Sequence, residues 1–243
     1  MTVETFRSLH HDRAPGDPLV LPGPWDAASA LAFADAGFPA LATPSAGVAA
    51  SLGYEDGQTP ADEMFAAVAR ITRVVSIPVS ADVEAGYGLA PKELVARILG
   101  SGAVGCNLED SDSTTHSLKD PQRHADWLAE VRAEAGDRLF INARVDSFLR
   151  GVSDPAEAIT RARLYAAAGA DCVYPIAAPP GQLPLLRKEI DVPINVAPFP
   201  GSPPIAELGR LGATRITFGP GLQRKATAAV RKIAEELRAD LPH

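Results

Sequence analysis

The chain is poor in the residues that mark several common functions. It has two cysteines in 243 residues, Cys106 and Cys172, each inside an apolar strand-like segment. Buried free thiols fit that pattern better than a disulfide or a catalytic pair, and no Cys/His cluster offers zinc ligands. Long apolar runs are missing, also near the N-terminus, where His10, His11, Asp12 and Arg13 stand together. Neither a signal peptide nor a membrane span is expected, which makes the cytoplasm the expected compartment. Runs of Lys and Arg are missing too. A formal charge of −7 and a pI near 5.3 argue against nucleic acid and membrane as partners. No G-x-G-x-x-G follows the first apolar segment, which argues against an open dinucleotide-binding sheet.

What is present is a regular alternation. Strand-like segments run at 19–21, 40–43, 79–82, 105–108, 140–144, 172–175, 193–196 and 215–218. Helical patterns fill 26–36, 62–75, 91–101, 123–135, 154–168, 183–189, 203–211 and 222–237. Glycine stops four of these helices just before a strand, at Gly37, Gly102, Gly169 and Gly212, and Pro91 and Pro155 stand at expected first helical positions. Units of roughly 30 residues, repeated this often, predict an α/β fold: one (β/α)8 TIM-type barrel domain over residues 1–243, with its active site at the strand C-termini.

Three of those strand ends carry polar groups. Val79-Ser80-Ala81-Asp82-Val83-Glu84 leads into Gly86-Tyr87-Gly88, and the next units bring Asn107-Leu108-Glu109-Asp110 and Asn142-Ala143-Arg144-Val145-Asp146. Asp82 and Glu84 are two apart and share a face on a continuing strand, and Glu109 arrives from the next unit. Such a carboxylate set suits Mg2+ or Mn2+ rather than zinc; a solvated acidic rim is the plainer alternative. The planar fork of Arg144 suits a carboxylate or phosphoryl group, or a salt bridge to Glu109 or Asp146. The segment 44–61 is the longest expected loop, with small residues that let backbone N–H groups approach an anion.

Taken with Gly23-Pro24-Trp25-Asp26-Ala27, Thr43-Pro44-Ser45-Ala46-Gly47 and Ser51-Leu52-Gly53-Tyr54-Glu55-Asp56, these motifs resemble the isocitrate lyase and phosphoenolpyruvate mutase superfamily over nearly the whole chain. Its members are Mg2+-dependent barrels acting on 2-oxo acids and their enolates. The resemblance implies that Ser45, Ala46 and Gly47 cradle a substrate carboxylate and that Asp56 lies at the substrate. It makes Asp82 the direct metal ligand, with Glu84 and Glu109 completing the metal set, Glu109 through bound water. Arg144 matches the arginine on the substrate and its developing enolate oxygen. Trp25, Asn107 and Asn195 are counted with the substrate-binding side chains, and Tyr54 and Asp56 as possible bases.

The departures bear on the reaction. The lyase branch carries a cysteine on the loop after the fourth strand, whereas here residues 111–120 hold His116 and Lys119 as candidate acid or gating groups, or as plain surface residues. The mutase and phosphonopyruvate hydrolase branches use a lysine and an asparagine there, and this loop has no asparagine. Asn107 replaces a lyase histidine and Ile176 a lyase glutamate. The first expectation is a C–C bond lyase working through a pyruvate-type enolate on a small 2-oxo acid or 2-hydroxy diacid. P–C bond chemistry and a non-catalytic barrel binding a 2-oxo acid or, through Phe218-Gly219-Pro220-Gly221, a phosphorylated metabolite are the alternatives. The last helix either closes its own barrel or swaps onto a neighbour, as in the superfamily's dimers and tetramers, so a homodimer or homotetramer is expected.

Overall fold

Every expected strand forms in the computed structural model, which describes residues 2–11, 13–14, 16–112 and 114–241. The strands are β1 (Leu19–Val20), β2 (Leu41–Ala42), β3 (Val79–Asp82), β4 (Gly105–Leu108), β5 (Phe140–Val145), β6 (Cys172–Pro175), β7 (Asn195–Val196) and β8 (Arg215–Ile216). Pairing is parallel throughout, β2 to β6 in sequence order and β7 to β8 to β1. Ala42 N donates to Pro22 O at 3.2 Å, and Val173 bridges Ile194 in parallel, which joins the two sheets. The cylinder therefore closes. The β1–β8 pair excludes an open doubly wound sheet, whose edge strands stay unpaired.

The helices are α1 (Val3–Ser8), α2 (Ala27–Asp35), α3 (Ser45–Leu52), α4 (Ala61–Val74), α5 (Pro91–Gly100), α6 (Pro121–Ala135), α7 (Pro155–Ala167), α8 (Leu183–Glu189), α9 (Ile205–Leu211) and α10 (Gly221–Ala239). Their starts follow local chemistry. Asp26 caps α2 in a reciprocal box with Ser29, Asp120 and Asp154 cap α6 and α7, and proline opens α5, α6 and α7. Alternate strand residues such as Ala81, Cys106, Ile141, Ala143 and Val173 face this helical layer as one buried cluster. The other face lines the barrel interior, which runs from apolar to polar. At its N-terminal end Phe6 of α1 packs with Leu19, Phe140 and Cys172. The fully buried Arg215 guanidinium lies over the Phe6 and Phe140 rings, at 5.8 and 6.0 Å.

Two helices depart from the sequence reading. α1 was not foreseen, because a six-residue segment with one buried side chain, Phe6, has too little periodicity to read. α3 occupies the first half of the expected loop 44–61. Its stretch Ser45-Ala46-Gly47-Val48-Ala49-Ala50-Ser51-Leu52 has no apolar stripe, yet Val48 and Ala49 are buried, and Gly53 ends it in the left-handed conformation at φ 86°.

α10 is all surface. None of its residues is buried; Val230, Ile233 and Leu237 are 62%, 55% and 64% exposed on one stripe, and the helix touches the rest of the chain chiefly at α3. It does not close its own barrel. No described helix is long and apolar enough to cross a membrane.

Candidate active site

Register brings the polar strand ends together. Asp82 on β3 pairs with Asn107 on β4, Asn107 with Asn142 on β5, and Arg144 with Tyr174 on β6. A cavity of about 360 Å³ opens over them, lined by Ser45, Ala46, Asp56, Asp82, Glu84, Asn107, Glu109, His116, Arg144 and Arg150 among others. That volume suits a ligand of a few carbons.

Arg144 is the electrostatic centre. Its Nε donates to Asp146 Oδ1 at 2.9 Å, and its Nη1 pairs with Glu109 Oε1. Burial disfavours its charge, but Asp146, Glu109 and Asp82 outweigh burial and raise its pKa. Asp146 is itself fixed: its Oδ2 accepts from Ser111 Oγ at 2.6 Å, and its N–H donates to Asp110 Oδ1 at 2.8 Å. Asp110 Oδ2 in turn accepts from Tyr165 Oη at 2.7 Å and Arg161 Nη1 at 3.1 Å. A buried chain from α7 thus sets where Arg144 points.

The carboxylates are desolvated. Burial raises the pKa of Asp82 against the pull of Arg144 and of the Glu84 and Ser45 N–H groups. Burial, helped by the Asp82 charge, pushes Glu84 up to about 7, and burial raises Glu109 as well. Glu84 sits at φ 52° and Tyr87 at φ 56°, left-handed backbone that costs a non-glycine residue energy and is held here by the turn Val83–Gly88. Glu84 Oε1 and the Tyr87 hydroxyl are buried without a hydrogen-bond partner.

Among the described residues no three His, Cys, Asp or Glu side chains could hold a metal ion between them. Glu109 Oε1 is turned onto Arg144. The donor set of Asp82, Glu84 and Glu109 still fits a hard cation. It is all oxygen, and it includes the orphaned Glu84 Oε1.

The first-turn N–H groups of α3, those of Ser45, Ala46 and Gly47, precede the first i to i−4 bond, from Val48 N to Pro44 O at 2.9 Å, and have no partner within the helix. Ser45 and Ala46 line the cavity, so the expected cradle is a helix N-terminus rather than a loop.

Comparison with known proteins covers nearly the whole chain. Residues 6–238 match the phosphoenolpyruvate phosphomutase family. The chain belongs to it. It is 37% identical over 217 residues to Rv1998c of Mycobacterium tuberculosis, a protein of uncharacterised function, covering 88% of this chain and 81% of that one. It is 30% identical over 205 residues to 2-methylisocitrate lyase of Escherichia coli, covering 77% and 68%. The crystal structure of 2,3-dimethylmalate lyase, a member of the PEP mutase/isocitrate lyase superfamily, superposes with a TM-score of 0.86 at 27% identity, covering 98% of this chain and 87% of that one.

In this phosphomutase-family chain several expected site residues stand outside the cavity. Trp25 packs against Val48 and Met64 and meets the Phe33 ring edge-on at 6.3 Å. Gly47 faces Pro44 and Gln223, where an added Cβ would come within 2.8 Å of Pro44 Cγ. Tyr54 Oη donates to Glu63 Oε1 at 3.1 Å on the surface, whereas Asp56 lines the cavity and is exposed. Asn195 is buried beneath the site and donates from Nδ2 to Thr217 Oγ1 at 2.9 Å. On the loop after β4, His116 reaches the cavity and Lys119 does not. Lys119 Nζ donates to Glu109 O at 3.2 Å and lies 5.6 Å from the Trp127 ring, in a second cavity. Arg150, Tyr174 and Thr217 line the site without having been singled out in the sequence, since one arginine after a strand or one polar residue on it carries no pattern.

A pH dependence follows. The folded-state pKa of Glu84 lies above that of a glutamate in the unfolded chain, so the native state keeps a proton the unfolded chain has lost. Stability conferred by that proton is lost as pH rises through about 7, with Asp82 and Glu109 shifted in the same direction. His10 and His124, whose burial lowers them to about 3, work the other way only below a histidine's ordinary range, roughly pH 6.5. In EDTA the melting temperature is therefore expected to fall between about pH 6.5 and 8, and to fall less in Glu84→Gln; equal slopes for the two proteins would contradict the burial of Glu84.

Proposed function

We propose that the protein is a Mg2+-dependent lyase that breaks a C–C bond of a small 2-oxo acid or 2-hydroxy diacid through a pyruvate-type enolate. The observation that carries this reading is the convergence of the α3 N-terminus, buried carboxylates and Arg144 on one small cavity. The α3 N–H groups of Ser45 and Ala46 bind and orient the substrate carboxylate. Arg144, held by Glu109 and Asp146, places fixed positive charge where the enolate oxygen develops. Asp82, Glu84 and Glu109 would hold Mg2+, which would supply Lewis-acid stabilisation of the same oxygen. Asp56, at the cavity edge, is the candidate base for a hydroxyl proton, and His116 for protonating the product.

Chemistry at a P–C bond ranks second. It would call for the loop cation at the phosphoryl group, and Lys119 is turned toward Trp127 and the Glu109 carbonyl instead. The test is NMR of the purified protein with Mg2+ and, separately, oxaloacetate, isocitrate, 2-methylisocitrate, 2,3-dimethylmalate and phosphonopyruvate. A new 2-oxo acid that disappears with EDTA is the expected result. Turnover of phosphonopyruvate alone would replace the lyase reading by P–C cleavage, and Mg2+-dependent oxalate binding with no turnover would favour a binder.

The exposed stripe of α10 supports the homo-oligomer reading. Substituting Val230, Ile233 and Leu237 together by serine is expected to lower the mass in sedimentation velocity to that of one chain, with the barrel still folded because none of the three is buried in it. An unchanged mass would remove α10 from the contact.

A further inference from the structure

The cavity holds a second cation, Arg150, that no carboxylate pairs with among the described residues. Arg150 lies on the turn after β5, where its N–H donates to Asp146 O at 2.9 Å. Its side chain is fixed at one point only: Nε donates to Ser111 Oγ at 3.0 Å, the same hydroxyl that donates to Asp146 at 2.6 Å. Nη1 and Nη2 meet no acceptor, and no carboxylate pairs with this guanidinium, among the described residues. Of the carboxylates that share the lining, Glu109 pairs with Arg144, Asp112 Oδ1 accepts from the Thr114 and Thr115 N–H groups at 3.0 and 2.7 Å, and Asp56, Asp82 and Glu84 form no ion pair with Arg150 among the described residues. Leu149 and Ile176 add apolar wall.

This contrasts with Arg144. Arg144 is held by two carboxylates and assigned to the enolate oxygen, whereas a guanidinium fixed only at Nε presents its remaining fork to a further group in the cavity. Two planar, parallel N–H donors match a carboxylate better than a neutral amide or hydroxyl. Partial burial keeps water from screening the contact fully.

We propose that Arg150 determines substrate class by binding a distal carboxylate, so that the substrate is a dicarboxylate whose 2-oxo or 2-hydroxy acid end sits at α3 and Asp82 and whose far end meets Arg150. This rests on the 2-oxo acid reading of the site and adds the far end to it. Arg150 is a specificity residue and takes no part in bond breaking.

Calorimetric titration with Mg2+ present tests it, with oxalate, N-oxalylglycine, N-oxalylglycinamide, whose far end is uncharged, and phosphonopyruvate as probes. The wild-type protein is expected to bind N-oxalylglycine about tenfold more tightly than the glycinamide. In Arg150→Gln that ratio is expected to fall to about one while oxalate affinity stays within about twofold, and Arg150→Lys is expected to restore part of it. A purely structural Arg150, acting through Ser111 and Asp146, would weaken oxalate as much as N-oxalylglycine, and that result overturns the proposal. So does a wild-type ratio near one, or a ratio that survives Arg150→Gln. Dependence on Arg150 for phosphonopyruvate but not for N-oxalylglycine would overturn the carboxylate assignment. Wild-type protein that binds no oxalate with Mg2+ would instead fail the underlying 2-oxo acid reading, and this proposal with it.

Discussion

Asp82→Asn is expected to abolish Mg2+-dependent oxalate binding, weakening it by more than about 100-fold, the upper end of what losing a supporting group behind a metal ligand costs. Asparagine keeps the shape and the acceptor that takes the Glu84 N–H at 3.2 Å, so the turn after β3 has no reason to move. What is lost is the charge that burial makes costly and that a cation would compensate. The same substitution is therefore expected to leave the melting temperature in EDTA unchanged or higher, because one of three mutually repelling buried carboxylates becomes neutral. Function and metal-free stability should move in opposite directions. Calorimetry with oxalate and thermal melts with and without Mg2+ read both, and undiminished oxalate binding would rule out Asp82 as the metal's direct ligand.

Arg144→Met is expected to be the most damaging single change to the fold's upper layer. It strips the cation from Asp146, which is fully buried, and from Glu109, leaving two carboxylates without a counter-charge. Removing one member of such a buried set costs about 3–5 kcal/mol, measurable by urea unfolding. Arg144→Lys separates the structural from the chemical role. It restores a charge but cannot reach Asp146 through Nε and Glu109 through Nη1 together, so it should recover much of the stability and still lose about 10²- to 10³-fold in turnover. A methionine variant as stable as wild type would mean that Asp146 and Glu109 are not charged partners of Arg144.

How far such a site can be read in advance depends on the kind of signal each residue leaves. Asp82, Glu84, Glu109 and Arg144 stand at the ends of apolar strands, and the barrel rule alone aims strand C-termini at one face. Ser45 and Ala46, which the resemblance makes an anion cradle, do line the cavity, but they open a helix where a loop is expected, since a run of small residues without a stripe reads as a loop. Arg150 and the Asp110, Arg161 and Tyr165 chain left no signal, because their partners lie 39 to 55 residues away in sequence. Lys119 and Tyr54 show the opposite failure. Each is the right chemical type near the right motif, and each is drawn to another partner, Trp127 with the Glu109 carbonyl for Lys119 and Glu63 for Tyr54.

By itself the sequence determined the eight strands, the glycine and proline boundaries of the helices between them, and the end of the barrel at which polar groups gather, because each follows from local periodicity and backbone preference. The tertiary structure alone decided that Glu109 faces Arg144 instead of joining a closed carboxylate cage, that α10 leaves its apolar stripe in solvent, and that Arg150 enters the cavity with its fork unpaired. Those are outcomes of competition between side chains distant in sequence for the same few partners, and only the closed barrel brings the competitors within reach.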